Sequence, residues 1–261
     1  MKVKVNGVEL DYQIGGSGPL IAFAHSLGMS KEIFDPLRPT LEQHGRFLTW
    51  DARGHGQSQK ATGWSVEDLA ADLRALIEHV GEDEAVIAGL SMGGNTALSY
   101  AVTYPEKTRA LIVSDTTAWY GEGAEEAWET RVRKAETNGM APVIPFNIPR
   151  WFSDGFPEKH PEVVEKVSKI ILACDVPSYA SAGRALGRFN VEDKLDRIKC
   201  PTLILVGEED PATPVSMAEN LNRKIKNSEL HVLPRLKHMT PVEDPEGVGK
   251  LMTEFLRKAL A

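Results

Sequence analysis

Apolar residues along the chain follow two rhythms. Near the start, Val3, Val5, Val8, Leu10 and Tyr12 alternate with polar residues on either side of Asn6-Gly7. Alternation gives a strand one buried face, and Asn-Gly supplies a tight hairpin turn, so the pattern predicts a β-hairpin. A turn at Gly15-Gly16-Ser17-Gly18-Pro19 follows. Beyond it come short, nearly unbroken apolar runs: Leu20–Ala24, Phe47–Trp50, Ala85–Ala88, Arg109–Val113, Pro201–Gly207 and Glu229–Leu233. Runs without alternation predict strands covered on both faces, as in a parallel sheet. Between them the spacing becomes helical. Val66, Leu69, Ala70, Leu73, Leu76, Ile77 and Val80 recur at three- and four-residue steps, with Ser65 and Asp68 as a capping box and Gly81 as the stop. Further helices are predicted from about Gly93 to Tyr104, from Val215 to Ile225 and from Pro245 to about Leu260. Ile33 to Gly45 is mixed and reads as helical after Pro36.

Strand and helix alternate as far as Ser114-Asp115, which predicts an α/β fold: a mostly parallel sheet with helices on both faces. The rhythm then breaks. From Thr116 to Asp196 there is no continuous apolar strand. Helical stretches at Glu125–Thr137, Pro161–Ala173 and Tyr179–Leu186 are separated by turns containing Pro and Gly. Trp119, Trp128, Phe146, Trp151, Phe152, Phe156, Tyr179 and Phe189 concentrate aromatic residues there. The expectation is a helical cap, residues 119–196, inserted into a core formed by residues 1–118 and 197–261.

The chain has 261 residues, 42% of them hydrophobic, which suits one large core with an insertion. Lys and Arg number 30 against 37 Asp and Glu, and the net charge is -7. The basic residues are scattered, so no nucleic-acid footprint is present. No apolar run is long enough to span a bilayer, and Met1–Gly7 has no signal-peptide core. A soluble, cytoplasmic protein is the expectation; the composition leaves the oligomeric state open. Cys174 and Cys200 have no metal-type spacing and read as reduced bystanders, with geometry deciding whether they can pair.

Chemistry concentrates where apolar runs end. Ala85–Ala88 leads into Gly89-Leu90-Ser91-Met92-Gly93, and a helix follows. This is G-x-S-x-G in its strand–turn–helix setting, which lifts a serine hydroxyl above the sheet edge. The flanking glycines leave room for the tight turn. A serine needs a base within reach, and the base needs a carboxylate. His238 follows the last apolar run. Asp210, in Gly207-Glu208-Glu209-Asp210-Pro211, follows the one before it. Ser91, Asp210 and His238 are therefore the candidate catalytic set, in the chain order that accompanies this elbow. Asp115 also follows a strand and is the alternative acid. His25 and His55 read as loop braces. The backbone N–H groups of Met92 and Leu27 are the candidate oxyanion hole. Neither a phosphate-binding glycine loop nor a metal-ligand cluster is visible, so no cofactor and no metal are expected.

These motifs resemble the α/β-hydrolase superfamily over nearly the full chain. The resemblance rests on Asp51-Ala52-Arg53-Gly54-His55-Gly56-Gln57-Ser58, Gly89-Leu90-Ser91-Met92-Gly93-Gly94, Gly207-Glu208-Glu209-Asp210 and His238. Within it, Ser26-Leu27-Gly28, the elbow, Trp128-Glu129-Thr130-Arg131, Arg150-Trp151-Phe152 and Asp210-Pro211-Ala212-Thr213-Pro214 look most like the 3-oxoadipate enol-lactonases. His25 departs from that pattern, which carries Asn there. The resemblance implies ring-opening hydrolysis of a small ester or lactone that bears a carboxylate. It implies that Ser26, Trp119, Arg131 and Trp151 line the substrate pocket, with Arg131 facing the carboxylate. Other activities on this fold are general carboxylester hydrolysis, C–C bond hydrolysis and perhydrolysis, and a ligand receptor with a slow triad is a further alternative.

Overall fold

The computed structural model describes residues 1–261. Strands β1 (Lys2–Val5) and β2 (Val8–Gly15) form the hairpin, with Asn6 and Gly7 at φ of 46° and 78°, as a type I′ turn requires. The remaining strands are β3 (Leu20–Ala24), β4 (Arg46–Trp50), β5 (Ala85–Leu90), β6 (Thr108–Ser114), β7 (Thr202–Gly207) and β8 (Ser228–Leu233). They complete an eight-stranded sheet in the order β1-β2-β4-β3-β5-β6-β7-β8. β2 pairs antiparallel with β1 and β4; every pairing from β4 to β8 is parallel. The unbroken apolar runs have the expected cause. β3, β5 and β7 are buried at every position, whereas β8, at the sheet edge, is partly exposed along its length.

The helices are α1 (Arg38–Leu41), α2 (Val66–His79), α3 (Met92–Thr103), α4 (Ala124–Asn138), α5 (Val143–Trp151), α6 (Phe156–Lys159), α7 (Pro161–Ala173), α8 (Val176–Arg188), α9 (Val215–Lys224), α10 (Thr240–Glu243) and α11 (Pro245–Ala259). α2 begins at a complete capping box: Asp68 N–H donates to Ser65 Oγ, and Ser65 N–H donates to the Asp68 carboxylate at 2.7 Å. Three stretches differ from the sequence reading. Residues 33–45 make a 3₁₀ turn, Lys31–Phe34, and the single turn of α1 rather than one helix. α8 starts at Val176, because Asp175 caps it through Ser178 N–H. α5 was not anticipated, since Pro142, Pro145 and Pro149 read as breakers. Pro142 stands before the helix as its cap and Pro145 falls in the first turn, where missing N–H groups cost nothing; Pro149 lies inside the last turn.

α4 to α8 lie between β6 and β7. The chain departs and returns side by side: Trp119 pairs with Asn190 in an antiparallel bridge, and Val191 N–H donates to Ala118 O at 3.0 Å. Within this insertion α4 packs on α8 at close range. A Cβ at Gly183 would sit 2.5 Å from Val132 Cγ2, so the crossing needs glycine there. Arg184 of α8 bonds both Glu129 and Glu136 of α4. Trp151, Phe152, Tyr179 and the sheet residues belong to one contiguous cluster of 69 buried hydrophobic residues. The underside of the insertion is thus continuous with the sheet's own core.

Ser65→Ala removes the α2 cap without touching the core. It is expected to lower the unfolding free energy by about 1 kcal/mol and the melting temperature by roughly 2–4 °C, measured by thermal denaturation.

Candidate active site

β5 runs into α3 with Ser91 as the sole joint. Reversing direction there forces Ser91 to φ 55° and ψ -114°, a backbone position that non-glycine residues rarely occupy. Both sides of the joint are pinned: Ser91 N–H donates to Ser114 O at 2.9 Å, and Asn95 N–H donates to Ser91 O at 2.9 Å. Thr116 Oγ1 donates to the same carbonyl at 2.8 Å. The flanking glycines are compulsory. A Cβ at Gly89 would lie 2.0 Å from Gly93 O, and one at Gly93 would lie 1.9 Å from Ala24 O.

His238 and Asp210 converge on this joint from the loops after β8 and β7. His238 Nε2 lies 2.9 Å from Ser91 Oγ, and His238 Nδ1 lies 2.7 Å from Asp210 Oδ2. All three residues are buried. Asp210 also accepts from Ala212 N–H at 2.7 Å, Thr213 N–H at 3.0 Å and Thr213 Oγ1 at 2.8 Å. Burial pushes its carboxyl pKa up, but the neighbouring His238 and these donors outweigh it and hold the group below the usual carboxylate range.

Asp115, the alternative acid, makes no hydrogen bond to the histidine. It accepts from Gly207 N–H at 3.1 Å, and from Thr240 N–H at 2.9 Å and Thr240 Oγ1 at 2.8 Å. Burial, and then the charge of Asp210, push its carboxyl well above the ordinary value. Asp115 thereby ties down the two loops that carry Asp210 and His238.

Leu27 lies in the turn after β3, and its N–H makes no hydrogen bond within the protein. Met92 is the first residue of α3, so its N–H has no acceptor inside the helix. The Leu27 turn is braced from several sides. His25 Nδ1 meets Ser26 O at 2.8 Å, and His25 Nε2 accepts from Ala52 N–H at 3.0 Å, which assigns the proton to Nδ1. Cys174 Sγ–H of the insertion donates to Gly28 O at 3.3 Å. His55 packs on His25 with ring centres 5.2 Å apart and meets Arg53 O through Nδ1 at 3.2 Å. The two cysteines are unpaired.

Above Ser91 lies a cavity of about 270 Å³. The core contributes Ser26, Leu27, Ala212, Thr213 and His238 to its wall; the insertion contributes Arg131, Trp151, Trp128, Tyr120, Asn147 and Arg150. Ser26, Leu27, Arg131 and Trp151 all line this cavity. Trp119 does not. It is 36% exposed and sits at the neck of the insertion, paired with Asn190. Successive side chains of extended backbone point to opposite sides, so Tyr120 takes the inward place, its hydroxyl donating to Asn95 Oδ1 at 2.9 Å. Phe152 is also withdrawn, stacked on Phe156 in the core of the insertion. Asn147 was missed because α5 was missed; its signal is the four-residue step to Trp151. No group of three or more His, Cys, Asp or Glu is placed to hold a metal ion, and no helix is long and apolar enough to cross a membrane.

Residues 17–245 match the family model described as Serine aminopeptidase, S33. The 3-oxoadipate enol-lactonase 2 of Acinetobacter baylyi is 32% identical over 254 residues, covering 96% of this chain and 94% of its own. The crystal structure of the enol-lactonase from Burkholderia xenovorans superimposes with a TM-score of 0.94 at 29% identity, covering 98% of this chain and 100% of that one. A thermophilic esterase from Thermogutta terrifontis, solved with malate bound, gives 0.93 at 30% identity, covering 99% of each chain.

Burial lowers the His55 pKa to about 3, while an unfolded chain titrates near 6.5. The unfolded state therefore binds more protons throughout that window, and the contribution to stability is lost as pH falls from about 6.5 toward about 3. The loss is expected to reach about 1.4 kcal/mol per pH unit. Urea unfolding at pH 7 and pH 5 measures it, and His55→Gln should flatten the difference.

Proposed function

This chain belongs to the Serine aminopeptidase, S33 family of the α/β-hydrolase superfamily and is a hydrolase of the ester and lactone type, and from that premise we propose that it opens a small enol-lactone through Ser91, His238 and Asp210. The observation that carries the reading is the unbroken contact from Asp210 through His238 to Ser91 Oγ, at 2.7 and 2.9 Å, on the floor of a cavity sized for a small molecule.

Ser91 Oγ attacks the lactone carbonyl while its proton passes to His238 Nε2. Asp210, kept ionised, holds the Nδ1–H tautomer and stabilises the imidazolium. The carbonyl oxygen becomes an oxyanion facing the N–H groups of Leu27 and Met92, neither of which has a competing acceptor. As the ring C–O bond breaks, His238 returns the proton to the departing enol oxygen. The enol stays tethered to the acyl group and tautomerises to a ketone. Water then attacks the Ser91 ester with His238 again as base, and the free acid leaves.

The electrostatics of the cavity favour an anionic substrate. Arg131 and Arg150 both line it, and neither meets an acid. Arg131 is the one assigned to the substrate carboxylate, with Ser26 and Trp151 as further wall. The same chemistry suits a simple carboxylic ester, and a relative at 30% identity is named an esterase. That relative was solved with malate, itself a dicarboxylate, bound.

Two sets of variants test this reading on enol-lactones, saturated lactones, aryl esters and ring-cleavage diketones. Ser91→Ala and His238→Ala should lower kcat by on the order of 10⁴-fold or more, and Asp210→Asn by about 10⁴-fold, with unchanged melting curves. Full turnover by purified Ser91→Ala would overturn the mechanism; fastest turnover of diketones would overturn the substrate class. Arg131→Met should raise KM about 10- to 100-fold for carboxylate-bearing substrates, the worth of a hydrogen bond to a charged group. An unchanged KM would remove Arg131 from the assignment.

A further inference from the structure

Arg131 is held entirely by neutral groups. Its Nε donates to Tyr179 OH and its Nη2 to Asn147 Oδ1, both at 3.2 Å. Its guanidinium lies over the rings of Trp128 and Phe146, at 4.8 and 5.4 Å. A guanidinium has donors and no acceptor, so Asn147 must turn Oδ1 toward it. The reverse orientation would set the amide N–H₂ against N–H. Asn147 is therefore committed to pointing Nδ2 the other way. There it is buried, beside the cavity, and no group of the protein accepts from it. Buried donors almost always find an acceptor. An unpaired one whose orientation is enforced, in the wall of a substrate cavity, is a group that waits for a ligand.

We propose that Asn147 is a specificity-determining residue that shares the substrate carboxylate with Arg131. One carboxylate oxygen takes the charged hydrogen bond from the guanidinium; the other accepts from Asn147 Nδ2. Reaching the carboxylate requires Nδ2 to turn toward the cavity, and the asparagine χ2 is soft enough to allow it. The backbone beneath is stiff: Pro145 and Pro149 flank Asn147 on α5, and Trp151, one turn on, is 5% exposed and walls the same cavity. The pair selects a planar anion with two acceptors. An apolar group of the same shape leaves both donors unpaired, which a buried site tolerates poorly.

This inference rests on the assignment of the substrate carboxylate to Arg131, and the experiment separates the two. The measured quantity is the ratio of kcat/KM for an enol-lactone with a carboxymethyl side chain to that for its isosteric isobutyl analogue. It is compared in the wild type, Asn147→Asp, Asn147→Leu and Arg131→Met, with melting curves for each. Asn147→Asp keeps the shape and the acceptor facing Arg131, but loses the donor and repels the anion. The ratio should fall at least about tenfold in Asn147→Asp, and by about three- to tenfold in Asn147→Leu, which carries no charge. Ratios within twofold of the wild type in both Asn147 variants, with a collapse in Arg131→Met, would overturn the role of Asn147 and leave Arg131 standing. No collapse in Arg131→Met would overturn the carboxylate assignment itself.

Discussion

Everything in this molecule depends on one backbone reversal. β5 and α3 share no linker, so the residue between them must adopt a strained conformation, and Ser91 at φ 55° does so. Such strain persists only where the surroundings over-determine it. Here they comprise a carbonyl held by both Asn95 N–H and Thr116 Oγ1, an N–H tied to β6, and two glycines whose Cβ atoms could not exist. The parallel sheet supplies the rigidity. Because β3, β5 and β7 are buried along their length, their ends cannot drift, and the loops that begin there inherit that precision.

Asp210 and His238 reach Ser91 by a second device that lies beneath them. Asp115 carries no cation and does not touch His238. It instead gathers Gly207 N–H, at the end of β7, and both donors of Thr240, two residues beyond His238. The loop bearing Asp210 and the loop bearing His238 are thereby fastened to the end of β6. Two buried carboxylates in neighbouring loops thus have opposite fates. Asp210 has a histidine and stays ionised; Asp115 has neutral donors and a negative neighbour, and its pKa rises.

Much of this was legible in the sequence, for identifiable reasons. Unbroken apolar runs marked the parallel strands because burial on both faces leaves no polar positions to alternate with. Asn6-Gly7 and the Ser65/Asp68 box were readable because turns and caps are local. Ser91, Asp210 and His238 were readable because each follows a strand. What escaped was set by tertiary context. α5 carries three prolines in and around it and still forms, packed against α7 within the insertion, so Asn147 went unseen. Trp119 was the obvious aromatic, yet a single bridge to Asn190 fixes the phase of the chain and turns Tyr120 inward instead. No local pattern at position 119 encodes a partner 71 residues away.

That bridge has a wider consequence. Ala118 and Val191 are hydrogen-bonded neighbours, so the path from β6 to β7 is already closed at its base before any of the intervening helices is counted. The neck fixes where the chain leaves β6 and where it turns back toward β7. Beyond the neck the insertion does more than present Trp151, Phe152 and Tyr179 to the buried cluster: Met239 N–H donates to Trp151 O at 3.1 Å, Arg150 Nη2 to Pro211 O at 3.1 Å and Cys174 Sγ–H to Gly28 O at 3.3 Å. The segment that supplies much of the cavity wall therefore also grips the loops bearing Asp210, His238 and Leu27, and any change in it is felt where those side chains are held.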